Sequence, residues 1–277
     1  MKGFARLFGF AALMAMVFCG CGKPAGDKGS TAGRTFIVGF DAEFPPYGFV
    51  GSDGEFKGFD LDLAKEVAKR NGWTIELKAI DWAAKDAELN AGTIDCIWNG
   101  FTITEERKDI YTWSSPYVQN KQFILVKADS GIKTFADLNG KAVVAQDGSS
   151  GAEALDSKAD ELKAENASFA FREYKKVKDY LTAKLMLESN AVDAIALDSA
   201  VAQGFVEQSK GQFAILEEPL MFEEYGVGFK KGNTELRDAV EATLKAMVAD
   251  GTVEKILTHW KTEEAQNGGA GIDFILK

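Results

Sequence analysis

The hydrophobic pattern along the chain changes period repeatedly, and each change marks an element. Phe36-Ile37-Val38-Gly39-Phe40 is an apolar, partly β-branched run that stops at Asp41 and a Pro45-Pro46 break, which predicts a buried strand. Beyond the turn residues Gly51-Ser52-Asp53-Gly54, Leu61, Ala64 and Ala68 recur with Leu63 and Val67 at spacings of three and four. They predict a helix over residues 60–71, stopped by Asn71-Gly72. Residues 74–79 read as a second strand, 83–91 as a second helix closed by Gly92, and 94–98 as a third strand. This βαβαβ order argues for a mostly parallel sheet with helices packed on it. A second block has the same kind of pattern: strands over 142–145, 169–174 and 194–197, and a helix running to about residue 161 after Gly148-Ser149-Ser150-Gly151. Val177, Tyr180, Leu181, Leu185 and Glu188 lie along another amphipathic helix, and residues 199–209 form the next. The clearest helical stripe is Leu236, Ala239, Val240, Thr243, Leu244, Met247 and Val248, ended by Asp250-Gly251. Two apolar extended segments, 122–127 and 225–230, lie between the blocks. A chain that crosses at the first and returns at the second makes two α/β lobes joined by two strands, a hinge; the alternative is one continuous sheet.

The start of the chain follows another logic. Lys2 and Arg6 precede an unbroken run of 12 apolar or glycine residues from Leu7 to Phe18. That is an export-signal core, too short for the ~18 to 20 residues a bilayer requires. Gly20-Cys21 resembles the end of a lipobox and makes Cys21 the expected lipidation site. Cys19 would place bulky Phe18 beside the cut. The alternative is a free periplasmic protein released by ordinary signal peptidase. Residues 22–34, rich in Gly, Lys, Ser, Thr and Pro, read as a flexible tether.

Composition narrows the function. At 277 residues, 46% hydrophobic and 27% charged, the chain can bury a core in each of two domains of about 130 residues. Its net charge is −10, and loss of Lys2 and Arg6 with residues 1–20 takes it to −12. No stretch is basic, so nucleic acid is not an expected partner. With one histidine and three cysteines, a multi-histidine zinc site, a CxxC ribbon and a Cys-His nucleophile are poorly supported, and no metal or cofactor is expected. Once Cys19 is removed and Cys21 modified, Cys96 has no disulfide partner and is expected to be buried and inert. His259 reads as a packed or surface residue.

Four motifs then carry a resemblance. Gly58-Phe59-Asp60-Leu61-Asp62-Leu63-Ala64 resembles a GFDxDLA signature, and the segment from Asn99 through Gly100-Phe101-Thr102-Ile103-Thr104 to Glu105-Glu106-Arg107-Lys108 resembles GxTITxERK. Trp113-Ser114-Ser115-Pro116-Tyr117 is similar to FSxPY, and Phe135-Ala136-Asp137-Leu138-Asn139-Gly140-Lys141 to xxDLxGK. In that order, over residues 35–261, they resemble the extracellular solute-binding proteins of family 3, the polar amino-acid receptors of ABC importers. The resemblance implies a two-lobed α/β fold of the periplasmic-binding-protein type II, closing on a free polar amino acid. The expected domains are a signal over 1–20, a tether over 21–34, one lobe from 35–124 plus 226–277, and a second from 125–225. The expected partners are the amino acid, a membrane permease with its ATPase, and a lipid anchor, with the protein acting as a monomer.

Site residues follow from what an amino acid presents. Arg107 offers a planar fork for the carboxylate and, by resemblance, is the family's anchor, aided by Thr102. Gly148-Ser149-Ser150-Gly151 lies between a strand and a helix, where backbone N–H groups bind anions; Ser150 and Gly151 match the family's positions, although such loops are often simple turns. Asp198 follows a strand and is placed either to take the ammonium, as the family does, or to cap the next helix. The carbonyl of Gly100 is a second acceptor for the ammonium. Phe44 and Trp82 correspond to positions that sandwich the ligand, against core packing as the usual fate of an aromatic. Asp41 matches a ligand-pocket position. Asp41, Glu43 and Asp81, if they face the cleft, favour a polar or cationic side chain over an acidic one. No enzyme is expected. The rivals are a dehydratase of the cyclohexadienyl type on the same scaffold, with Glu43 as general acid, and the ligand-sensing subunit of a receptor.

Overall fold

The computed structural model describes residues 33–262 and 268–277. The expected signal over 1–20, Cys21 and the tether as far as residue 32 lie outside these described residues. In chain order, β1 (Thr35–Phe40), β2 (Glu43–Phe44), β3 (Gly48–Val50) and β4 (Phe56–Lys57) lead into α1 (Phe59–Asn71). Asp60 and Asp62 in the first turn of α1, and Lys69 and Arg70 in its last, complement the helix dipole. Gly72 ends it in the left-handed region, at φ 68°. β5 (Thr74–Ala79), α2 (Lys85–Ala91), β6 (Cys96–Ile97) and β7 (Tyr111–Trp113) complete the first block. The second holds β8 (Val118–Lys127), β9 (Ala142–Gln146), α3 (Ser150–Glu165), β10 (Glu173–Val177), α4 (Tyr180–Glu188), β11 (Ala194–Asp198), α5 (Ser199–Gln208), β12 (Phe213–Ile215) and β13 (Met221–Tyr225). β14 (Gly228–Lys230), α6 (Thr234–Ala249), α7 (Thr252–Thr262) and β15 (Asp273–Phe274) follow.

The expected pair of α/β lobes is present as two separate sheets, not one continuous sheet. The first has the order β5-β1-β6-β14-β7, with β5, β1 and β6 parallel and β14 antiparallel to β6 and β7. The second has the order β10-β9-β11-β8-β12, again with three parallel strands, and β8 antiparallel to β11, β12, β13 and β15. Helices α3, α4 and α5 pack on the second sheet, while α1 packs on β5 and against α6 and α7. Among the described residues no helix is long and apolar enough to cross a membrane.

Three segments differ from the expected pattern. β8 pairs within the second sheet from Val118 onward, so the chain crosses between sheets at residues 114–117, upstream of 122–127, and the boundary expected at 124 falls inside a strand. The strand expected over 169–174 forms at Glu173–Val177. Phe169 is buried in the core from a loop held by the bond from Gly140 N to Ala170 O. Val177 therefore ends a strand, and α4 starts after Asp179, whose side chain accepts from Thr182 N at 2.7 Å. Cys96 is buried and unpaired, and burial pushes its thiol up; His259 is exposed.

Candidate amino-acid-binding site

In parallel α/β sheets the loops that leave the carboxyl ends of the strands carry the ligand groups. Here four such ends meet: Asp41 follows β1, Asn99 and Gly100 follow β6, Gln146 ends β9 and Asp198 ends β11. With Phe44, Trp82, Arg107, Ser149, Ser150 and Tyr180 they line one cavity. The space open to the centre of a water molecule is about 20 Å³, room for little more than one water. The cleft is closed.

The contacts that close it run between the two sheets' loops. Arg107 Nη2 donates to Gly148 O at 3.1 Å and to Glu153 Oε1 at 2.6 Å, and its guanidinium lies 5.3 Å from the Phe101 ring centroid. Thr102 Oγ1 and Ser150 Oγ are 3.0 Å apart, and Gln146 Nε2 donates to Asp41 Oδ2. Asp198 stands at the N-terminal boundary of α5 but makes no capping bond there. Its Oδ1 instead accepts from Asn120, Gln122 and Tyr225, and its Oδ2 from Tyr180 OH at 2.7 Å. Ser149 caps α3 by accepting from Ala152 N at 3.0 Å, leaving the N–H groups of Ser150 and Gly151 outside the helix ladder.

Of the residues singled out from the sequence, Asp41, Phe44, Trp82, Gly100, Arg107, Ser150 and Asp198 line this cavity. Thr102 is buried and reaches it through Ser150, and Gly151 packs in the first turn of α3 against Gln122. Glu43 and Asp81 are not among the lining residues. Glu43 is half-buried on β2, and Asp81 is an exposed cap that accepts from Ala83 N.

Residues 36–263 match the profile of the bacterial extracellular solute-binding proteins, family 3. The chain belongs to this family. It is 31% identical over 228 residues to the L-cystine-binding protein TcyJ of Escherichia coli (strain K12), covering 82% of each chain. It is 30% identical over 257 residues to the arginine-binding extracellular protein ArtP of Bacillus subtilis (strain 168), covering 92% of this chain and 96% of that one. Among solved structures it resembles a histidine-bound ABC uptake transporter substrate-binding protein from Streptococcus pneumoniae. There the TM-score is 0.76 at 33% identity, over 82% of this chain and 92% of the other.

Burial governs the charges in this family member's cleft. It pushes the Asp41 carboxyl up to about 6, against the hydrogen bonds from Glu43 N and Gln146. It raises Asp198 too, despite the donors around it. Glu43 is raised by burial and by nearby Asp179. Lys85 moves the other way, its ammonium lowered to about 8 by burial and by Arg107. Lys85 is among the residues that sequence reasoning missed. It is buried at the start of α2, 5.3 Å from the Trp82 ring centroid, and its Nζ donates to Gly148 O at 3.0 Å. Gln146, Tyr180, Asn120, Gln122 and Glu223 were missed as well.

Gly100 shows how tightly the wall is built. Asp60, buried in α1, accepts from Gly100 N at 2.6 Å and from Tyr117 OH at 2.7 Å. This holds Gly100 at φ 56°, where a Cβ would lie 2.6 Å from Phe44 Cε1. Gly100→Ala is therefore expected to cost about 1–3 kcal/mol through backbone strain and overpacking. At 2–4 °C per kcal/mol that lowers the melting temperature by roughly 2–12 °C in a thermal melt. An unchanged melt would mean both that Phe44 moves aside and that the backbone at residue 100 leaves the left-handed region.

Proposed function

We propose that the protein captures a free polar amino acid between its two lobes and hands it to the permease and ATPase of an ABC importer. The observation that carries this reading is the convergence of Arg107, the N-terminus of α3, Asp198 and Asp41 on one cavity. The ligand's carboxylate takes the Arg107 fork, the Thr102 hydroxyl and the N–H groups of Ser150 and Gly151. Its ammonium takes Asp198 and the Gly100 carbonyl. Its side chain lies between Phe44 and Trp82 and ends at Asp41. That carboxylate is buried with no cation among its hydrogen-bond partners. A cationic side chain supplies the missing charge, so arginine, lysine, ornithine and histidine are the best candidates. Relatives named for arginine and solved with histidine support this choice.

Entry requires the cleft to open. The bonds of Lys85 and Arg107 to Gly148 O, and of Thr102 to Ser150, must break, and the two strand connections between the sheets act as the hinge. The protein works as a monomer tethered to a membrane through lipid on Cys21, with lobes that part company before Val118 and with β15 paired to the second sheet. The protein carries its ligand without transforming it, a reading supported by relatives named as amino-acid-binding proteins.

The test is a thermal-shift screen of the chain from residue 22, unfolded and refolded to strip bound ligand. The panel is the twenty amino acids with ornithine, citrulline, cystine, prephenate and arogenate. A ligand at a hundred times its Kd adds about 2.7 kcal/mol, or roughly 5–11 °C. Shifts for the cationic amino acids are expected. Shifts for glutamine alone would move the side-chain contact away from Asp41, a response only to prephenate or arogenate would restore the enzyme, and a flat screen would end the reading.

A further inference from the structure

Glu223 is a buried acid to which the binding scheme above gives no task. It is the third residue of β13 and 8% exposed. Asn120 Nδ2 donates to Glu223 Oε1 at 2.6 Å and to Asp198 Oδ1 at 2.8 Å. Gln122 Nε2 donates to the same two oxygens, at 2.9 and 2.7 Å. Two amides thus clamp two carboxyl groups side by side, and Glu223 Oε2 is buried without a hydrogen-bond partner.

The groups facing the pair supply no positive charge. β8 offers Asn120 and Gln122, α3 offers Ser150, and α4 and β13 offer the phenols of Tyr180 and Tyr225. Burial pushes both phenols well above their usual range, so they stay neutral. Tyr47 is neutral for the same reason, and the further charges that act through these phenols, Asp41, Asp60 and Asp273, are all acidic. Lys121 lies over the Phe222 ring, at 5.1 Å. Near the cavity, Arg107 is bound to Glu153 and Lys85 to Gly148 O. The donors around Asp198 suffice for one negative charge; a second beside it is opposed by repulsion and by burial together.

We propose that Asp198 and Glu223 share one proton in the unliganded site, and that the ammonium of the captured amino acid takes that proton's place and releases it to solvent. The balance is simple. A pair holding one proton carries a single negative charge; on binding it carries two, compensated by the ammonium, and one proton leaves. The inference rests on the assignment of the ammonium to Asp198. Burial, which lifts Glu223 to about 7 and raises Asp198, places the release near neutral pH. Because the ligand prefers the deprotonated pair, affinity rises with pH through this range and then levels. Below it, affinity falls roughly tenfold per pH unit.

Calorimetric titration of the stripped protein with L-arginine at pH 7, in phosphate and in Tris, counts the protons released from the difference in buffer ionisation heat. The wild type is expected to release roughly half to one proton per ligand, Glu223→Gln close to none. Asp41→Asn should bind L-arginine more weakly but still release the proton. Buffer-independent heats in the wild type, or a release that survives Glu223→Gln and vanishes in Asp41→Asn, would overturn the proposal. Should Glu223→Gln fail to bind, infrared spectra decide: the ligand-free wild type must show a protonated-carboxyl band that this variant lacks. Absence of heat with L-arginine, L-histidine and L-glutamine alike would instead sink the amino-acid reading. Binding without proton release sinks only this one.

Discussion

Arg107→Ala is expected to weaken amino-acid binding by roughly thirtyfold to several thousandfold while leaving the fold in place. Truncating one partner of a buried, hydrogen-bonded charge pair costs about 2–5 kcal/mol, and each 1.4 kcal/mol is tenfold. Arg107 is 6% exposed and rests on the Phe101 ring, so its position is fixed before any ligand arrives. Its Nη2 serves Gly148 O and Glu153, and Nη1 reaches Thr102 O only at 3.5 Å. A guanidinium has five N–H donors, so donors remain to fork onto a carboxylate. The fold survives the loss because the Glu153 side chain is 40% exposed and water can solvate it once the cation is gone. Arg107→Lys keeps the charge and loses the fork, so it should fall between wild type and alanine. Titration calorimetry beside a thermal melt checks both halves. Wild-type affinity in Arg107→Ala would remove the carboxylate anchor from this residue.

The sequence shows the carboxyl ends of the parallel strands well, because β1, β9 and β11 are continuous apolar runs broken by charged or glycine-rich loops. Those loops carry the anion and cation chemistry, so Asp41, Ser150 and Asp198 stand out, while Arg107, in the segment between β6 and β7, stands out through its motif. What stays hidden depends on register. Asn120, Gln122, Asp198 and Glu223 come together because β8 pairs with β11 on one side and β13 on the other, placing Gln122 opposite both Asp198 and Met221. The polar half of β8 gives no such signal, since Asn120 and Gln122 are not residue types that announce a core; both are buried. Lys85 misleads in the same way, a lysine at a helix start whose ammonium turns inward to a carbonyl across the cleft. Phe169 and Phe171 mislead in the opposite sense. Their apolarity predicts a strand, but they serve the core from a loop, and the strand starts four residues further on, at Glu173, where β10 can pair with β9.

Asp198→Asn should weaken binding by roughly thirtyfold to several thousandfold and also soften the fold, and that pairing of effects separates it from Arg107→Ala. The carboxylate of Asp198 accepts from four side chains, and all four donors, Asn120, Gln122, Tyr180 and Tyr225, are buried. An asparagine fills the same space but turns one acceptor into a donor. Whichever way the amide is oriented, an NH2 group faces either Tyr180 OH or the cluster around Oδ1, and a buried donor loses its partner. An unsatisfied buried donor costs about 1–3 kcal/mol, or roughly 2–12 °C of melting temperature. The ligand's ammonium meanwhile loses its counter-charge, about 2–5 kcal/mol of binding on the same scale as Arg107. Water cannot repair this site as it can repair Glu153, so the melting temperature must fall even without ligand. Loss of binding with an unchanged melt would place Asp198 in contact with the ligand but outside the tyrosine cluster. A lower melt with wild-type affinity would make it a structural acid, with the ammonium bound elsewhere.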